Sequence, residues 1–421
     1  MRRRDVLSAA AAGMTAACWP ASSEARPRDD AWAPVFARLP ADARAVLDDP
    51  TWRVQLLWTR VSRDPDDPAA RPRLRRHAYG ETPRRWFSPA SVSKLPMALL
   101  MAERLSAHGL DAQAVVRLNA APETGEWPSD EPLEETFLRG CARTFAVSEN
   151  VPYNRWYDYL GGDAIHARLK ALGYPNTRLI ARLGSPDREA NRRTRGGELR
   201  APDGRIVARS DAATAVARRF PFGRALDGVG WRHDDGRIEP GPHDFSYANF
   251  MPLADSFAML QAFAMPETVP ASRRWRIDEP LRAQLLQALA LRPRDSVDPR
   301  YDEAQYPDGY ARWFVVGDGV ARYPDGLRVL GKTGMAYGHL SEVACLRDED
   351  SGAEWCLAAA MRADRDGVYN DDHYDYETIG LPFLAALGRA VRDVERASAA
   401  ARPKTVRSNA ITSYSASSNK T

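Results

Sequence analysis

Strand-type patterning lies at the two ends of this chain and helix-type patterning lies between them, and that split restricts the folds open to it. Residues 53–61 (RVQLLWTRV) alternate so that Val54, Leu56 and Trp58 share one face of a strand. A Pro/Arg-rich hairpin follows, with 75–87 as the expected partner strand. Near the other end, 328–330, 338–346 and 354–361 read as an antiparallel meander. In the middle, 91–105 is strongly apolar with helical spacing, helical signals run on to about 175, and 253–263 and 280–291 return to helix. The helix over 163–172 is expected to start at an Asp163 cap and stop at Gly173. An amphipathic helix is expected over 379–397. Distant strands must then pair, and the middle must pack on their sheet. The expected class is α+β, with an antiparallel sheet domain over 30–90 plus 320–400, flanked by N- and C-terminal helices, and an all-helical domain over 91–319. Residues 192–245, rich in Arg, Gly and Asp, read as an irregular insertion that covers part of the molecule. A cleft at the domain junction is the natural place for a site.

The termini read differently. Arg3-Arg4-Asp5-Val6-Leu7 resembles a twin-arginine signal, an Ala-rich stretch follows, and Ser23-Glu24-Ala25 offers a cleavage site, so residues 1–25 are expected to direct export to the periplasm or beyond. Lipidation at Cys18, after Thr15-Ala16-Ala17, is the alternative. Residues 401–421 are polar and expected to be disordered. With a net charge of +3 and no basic-aromatic stripe, nucleic acid is not an expected partner. After the N-terminus no apolar run is long enough to span a membrane. A monomer without cofactor is expected. Cys345 and Cys356 flank a turn at 348–352; two buried thiols is the preferred reading, and a disulfide is the alternative that export permits. No metal site is expected, since the cysteines lack nearby histidines and the 371–375 stretch (DDHYD) reads as a solvated loop or helix cap.

Of 59 basic residues only five are lysine, namely Lys94, Lys170, Lys332, Lys404 and Lys420. A lysine in the body of such a chain points to a role arginine cannot fill, such as losing its proton. Two of them sit in motifs. Ser91-Val92-Ser93-Lys94 opens the apolar helix, and residues three apart share a helix face, so hydroxyl and amine can meet. Serine needs an adjacent base to act as a nucleophile. Lysine serves only if its pKa falls from about 10.4 towards 7, through burial and a second cation nearby. Ser148-Glu149-Asn150 supplies a second hydroxyl to relay a proton to a leaving nitrogen, and an amide to orient a lysine or a substrate. Lys332-Thr333-Gly334 lies on a strand-like stretch. There Lys332 is the second cation, Thr333 is placed to bind a substrate carboxylate, and Gly334 lets a ligand approach the backbone. The N–H groups of Met335 and Ser91 are candidates for an oxyanion hole. Alone, the first two motifs are weak, since Ser417 to Lys420 repeats the first spacing in the tail, whereas Lys-Thr-Gly occurs once in the chain.

Together, and in this order, the three motifs resemble those of the serine β-lactamase and penicillin-binding protein superfamily, closest to class A β-lactamases. The resemblance covers roughly 50–180 and 250–395. It implies a β-lactamase/transpeptidase-like fold and an acyl-serine mechanism. Ser91 would attack the amide carbonyl of a β-lactam or cell-wall peptide, Lys94 would take its proton, and Ser148 with Lys332 would handle the departing nitrogen. One departure matters. Where class A enzymes carry the Glu-x-x-x-Asn loop whose Glu activates the deacylating water, this chain reads Ser185-Pro186-Asp187-Arg188-Glu189-Ala190-Asn191. Asp187 or Glu189 is the candidate base; the alternative is that both only pair with neighbouring arginines. Without a base, the acyl-enzyme would persist as in a D,D-peptidase-like penicillin-binding protein or a sensor. A Ser-His-Asp esterase is disfavoured, since no Gly-x-Ser-x-Gly elbow is present and the histidines are scattered.

Overall fold

The computed structural model describes residues 30–401 apart from 65, 68–69, 121–131 and 320–321. The export signal, Cys18 and the tail motif therefore lie outside the described residues. In chain order the main elements are α1 (Ala41–Asp48), β1 (Gln55–Ser62), β2 (Arg73–Tyr79), α2 (Lys94–Ser106), α3 (Phe137–Ala146), α4 (Val151–Leu160) and α5 (Gly162–Ala171). They continue as α6 (Leu253–Ala264), α7 (Glu279–Ala290), β3 (Leu327–Ala336), β4 (His339–Asp348), β5 (Ala353–Arg362) and α8 (Leu381–Ala400).

One five-stranded antiparallel sheet runs β3-β4-β5-β1-β2, so the N-terminal hairpin joins the C-terminal meander through the β5–β1 pair. Alternation along the strands divides the core. Leu56 and Trp58 point to a cluster with α1 and α8, whereas Leu57 and Val61 point to the cluster that contains α2, α4 and α6. The expected face of Val54, Leu56 and Trp58 thus packs together. This is the α+β class the patterning predicts, with the antiparallel sheet flanked on one face by the N- and C-terminal helices.

Several local expectations are corrected. The partner strand ends at Tyr79 rather than reaching 87, because Pro83 and the turn after it lead into the segment carrying Ser91. Asp163 does not cap α5. Gly161 occupies that position, and the Asp163 carboxylate instead accepts from Val216 N–H at 3.2 Å and pairs with Arg218. Cys345 and Cys356 are joined in a disulfide rather than being free thiols, because they face each other in register across β4 and β5.

The 192–245 insertion is not irregular throughout. Gly197–Arg200 and Ile206–Ser210 join a small sheet with Val115–Leu118, and Gly230–Arg232 pairs in parallel with Val368–Tyr369. Its aromatic end is packed into the molecule: Phe245 stacks on Trp86 with ring centroids 4.1 Å apart, and both bury with Phe220, Phe250 and Tyr369. Asp227 fastens the insertion to the sheet domain through Arg53 at 2.6 Å.

Candidate active site

Ala90–Ser93 forms a single 3-10 turn that runs into α2. Ala90 has a φ of 40°, a left-handed conformation that costs a non-glycine residue about 1–3 kcal/mol. The strand β3 packs directly against this turn. A Cβ on Gly334 would stand 2.3 Å from the Pro89 carbonyl oxygen and 3.0 Å from both Ser91 N and Val92 N. On its Cβ side, Gly334 is approached by the nucleophile turn of the protein itself.

Lys94 is fully buried one turn beyond Ser91. Its Nζ lies 2.8 Å from Ser91 Oγ, 2.8 Å from Asn150 Oδ1 and 3.2 Å from Ser148 Oγ, and it also meets the Ser148 carbonyl oxygen. Burial lowers its pKa to about 7, against the opposing pull of Glu149. A neutral amine has two N–H donors and one lone pair, an ammonium three donors and none. When the two donors of the neutral form satisfy Asn150 and the Ser148 carbonyl, the lone pair is left for the Ser91 proton. Asn150 stands at the N-cap of α4 without capping it, because its side chain is turned to Lys94.

Lys332 is equally buried, and its Nζ donates to Ser148 Oγ at 2.8 Å and to the Thr333 carbonyl at 3.0 Å. Burial, followed by the charges of Lys94 and Arg312, pushes its pKa well below the ordinary lysine value. Ser148 Oγ thus sits between two amines. Its residue has a φ of 65°, a second left-handed position. Glu149 holds this loop from behind, accepting from Arg143 Nε at 2.7 Å and from Tyr301 Oη at 2.8 Å. Met335, on the edge strand β3, is 39% exposed. Thr333 is buried, and its hydroxyl donates to the Ala311 carbonyl at 3.2 Å.

The two loop acids find partners within their own loop. The loop ends in a short helix, Arg188–Arg192, and Asp187 caps it by accepting from Ala190 N–H at 2.9 Å. Glu189 is exposed and pairs with Arg192 at 2.6 Å. Asn191 is the buried member of this segment. Its side chain accepts from Arg182 N–H and donates to the Ser185 carbonyl, closing the loop on itself.

Sequence reasoning missed the support beneath β3. Glu342, opposite Thr333 in register, is fully buried and accepts from the N–H groups of Trp313 at 3.0 Å and Phe314 at 2.8 Å. Burial raises its pKa to about 7. Arg312, also buried, donates to the carbonyls of Phe145 and Leu289 and so fixes the chain just before Ser148. The available signal was an acid within the run 340–346 of β4, where every other residue except Ser341 is apolar. His339, beside the Lys-Thr-Gly strand, turns Nδ1 to the Tyr337 carbonyl at 2.7 Å, and burial lowers its pKa to about 4, so it stays neutral. At 371–375, Asp371 accepts from His373 N–H and His373 is largely exposed; among the described residues no group of side chains is placed to hold a metal.

Residues 76–217 match a family described as Beta-lactamase enzyme family. No curated protein matches the chain. Similar solved structures include a β-lactamase from Sphaerobacter thermophilus, at 16% identity over 86% of this chain and 97% of that one, with a TM-score of 0.47. A PBP-A mutant, solved as an acyl-enzyme with penicillin G, has 13% identity over 86% and 95%, with a TM-score of 0.48. A β-lactamase from Burkholderia ambifaria has 15% identity over 84% and 98%, with a TM-score of 0.46. The family match over residues 76–217, together with three motifs converging in their expected order on one pair of amines, makes this chain similar to the serine β-lactamases and penicillin-binding proteins.

Proposed function

We propose that this protein is an acyl-serine hydrolase that opens β-lactam or related cell-wall amides through Ser91 and releases the acyl group slowly. The observation that carries the reading is the Lys94 amine, buried, lowered to about pKa 7 and 2.8 Å from Ser91 Oγ. Loss of the Ser91 proton to Lys94 frees the oxygen to attack the carbonyl carbon. The amide C–N bond then breaks, with the nitrogen taking its proton by way of Ser148, which Lys332 orients. The N–H groups of Ser91 and Met335 are the donors for the oxyanion. Slow release is favoured because Asp187 is spent on a helix cap and Glu189 on Arg192. The chain would then behave as a D,D-peptidase-like penicillin-binding protein. The second reading, a turning-over β-lactamase, is favoured by the description of the matched family and by Asp187 standing four residues before Asn191.

Labelling with a fluorescent penicillin, followed over time, separates the two. The expected outcome is a label that persists for hours in the parent and is absent in Ser91→Ala, a substitution that leaves the fold intact. Rapid loss of label that slows in Asp187→Asn or Glu189→Gln would establish the β-lactamase instead. Labelling of Ser91→Ala equal to the parent would sink the mechanism. Export is part of the proposal, and the Cys345–Cys356 disulfide suits an oxidising compartment. A fusion of residues 1–30 to a reporter that works only after folded export tests it: Arg3→Lys with Arg4→Lys should stop transport.

A further inference from the structure

The two helices that begin at the catalytic motifs also share their far ends. α2 starts at Lys94 and α4 starts directly after Asn150, so both present their N-termini to the site. Away from it, Leu100 of α2, Leu160 of α4, Ile165 of α5 and Trp275 line a cavity of about 650 Å³. With 13 residues, α2 is about 20 Å long. Its last two turns, which line the cavity, are thus at the end of the helix away from Ser91.

The charges at this cavity are not balanced. Arg168 is engaged by Glu103 through two bonds of 2.8 and 2.7 Å, and Glu103 also accepts from the Arg276 main-chain N–H at 2.6 Å. Asp278, the other acid in the lining, stands at the N-cap of α7. The guanidinium groups of Arg104 and Arg276 have no carboxylate partner among the described residues. Three arginines against two acids leave one positive charge beside an apolar floor. The volume falls in the range of small-molecule pockets, and a guanidinium without a carboxylate partner binds carboxylates well.

We propose that this cavity binds an amphipathic acid, a single apolar chain with one anionic head, and that its occupancy is relayed along α2 and α4 to Lys94 and Ser148. The two helices pack against each other. A ligand wedged between their ends has a lever on both, and displacements of 1–2 Å at packed helices are enough to switch sites. Such a shift changes the 2.8–3.2 Å contacts of Lys94 with Ser91 and Ser148. The relay rests on the reading of Ser91 as an acylated nucleophile; the binding site does not.

Sodium decanoate is the probe, titrated calorimetrically into the full chain. Parent protein should show saturable binding. Ala164→Trp, an exposed position of α5 in the cavity lining, should abolish it by filling the space. Arg104→Gln with Arg276→Gln should weaken it by about tenfold or more. Phosphatidylglycerol vesicles, tested by co-sedimentation, show whether the acidic head belongs to a lipid rather than a free acid. Equal binding in parent and Ala164→Trp, or saturable binding of neither probe, overturns the site. Saturating decanoate should also change the rate of penicillin labelling about fivefold or more in the parent and not in Ala164→Trp. Binding with no change in that rate overturns the relay. A protein that takes no penicillin label at any decanoate concentration counts against the Ser91 reading and leaves the binding result standing.

Discussion

Lys94 can act as a base chiefly because the fold removes it from water. Burial leads, and Glu149 opposes. Acylation by a neutral Lys94 should therefore rise as pH increases through about 7 and level off above it, as followed by penicillin labelling rates from pH 5 to 9. Lys94→Arg keeps the charge but not the lone pair, and labelling should slow by at least ~10²-fold; a near-normal rate would reduce Lys94 to a structural cation. Glu342 is the complementary case at this scale. Glu342→Gln keeps an oxygen acceptor for Trp313 and Phe314 N–H, so it should cost less than about 1 kcal/mol. Glu342→Ala strands both donors in the core at about 1–3 kcal/mol each. Urea unfolding of the two variants checks the difference.

Elements meet here at very short range, and Gly334 shows why. β3 and the Ser91 turn approach until only a hydrogen fits at position 334. Gly334→Ala must push the strand away from Pro89 and Ser91, because the clash is with main chain and not with the tip of a flexible side chain. The expected result is labelling slowed by about 10²-fold, in line with misplacement of reacting groups by 1 Å, and a lowered Tm. Unchanged labelling would mean that β3 does not position the nucleophile. The same element-level logic explains the loop acids. Spacing alone left open whether Asp187 or Glu189 is a base or both only pair with neighbouring arginines. A helical turn formed, and a helix start calls for an acceptor at its cap, which Asp187 supplies.

Across the whole molecule, the insertion is part of the structure that surrounds the site. Phe245 lies flat on Trp86, five residues before the nucleophile, and Trp231 and Tyr337 come within 5.7 Å of each other at the far end of β3. Phe245→Ala should destabilise the protein by about 3–5 kcal/mol, the usual range for a buried Phe, and should slow labelling as Trp86 loses its support. Thermal unfolding and labelling rates measured together test this. A large loss of stability with full labelling would confine the insertion to a structural role.

Patterning and motif order were enough to predict the α+β class, the chain order of sheet and helices, and the convergence of Ser91, Lys94, Ser148, Asn150 and Lys332. The class and element order depend on local spacing, with period two in the strands and period 3.6 in the helices; Ser91 and Lys94 meet because they stand three apart, and the approach of Ser148, Asn150 and Lys332 to them is what the resemblance implied. Tertiary structure alone decided what depends on distant neighbours. Ala90 and Ser148 adopt left-handed backbones although neither residue type favours them, because β3 and the Glu149–Arg143 contact hold their turns. Cys345 and Cys356 became partners through the β4–β5 register. Thr333 and Gly334 each meet the protein's own backbone. Whether a polar side chain reaches a substrate or is used up on a neighbouring carbonyl or helix cap depends on contacts between residues far apart in sequence, which no local pattern records.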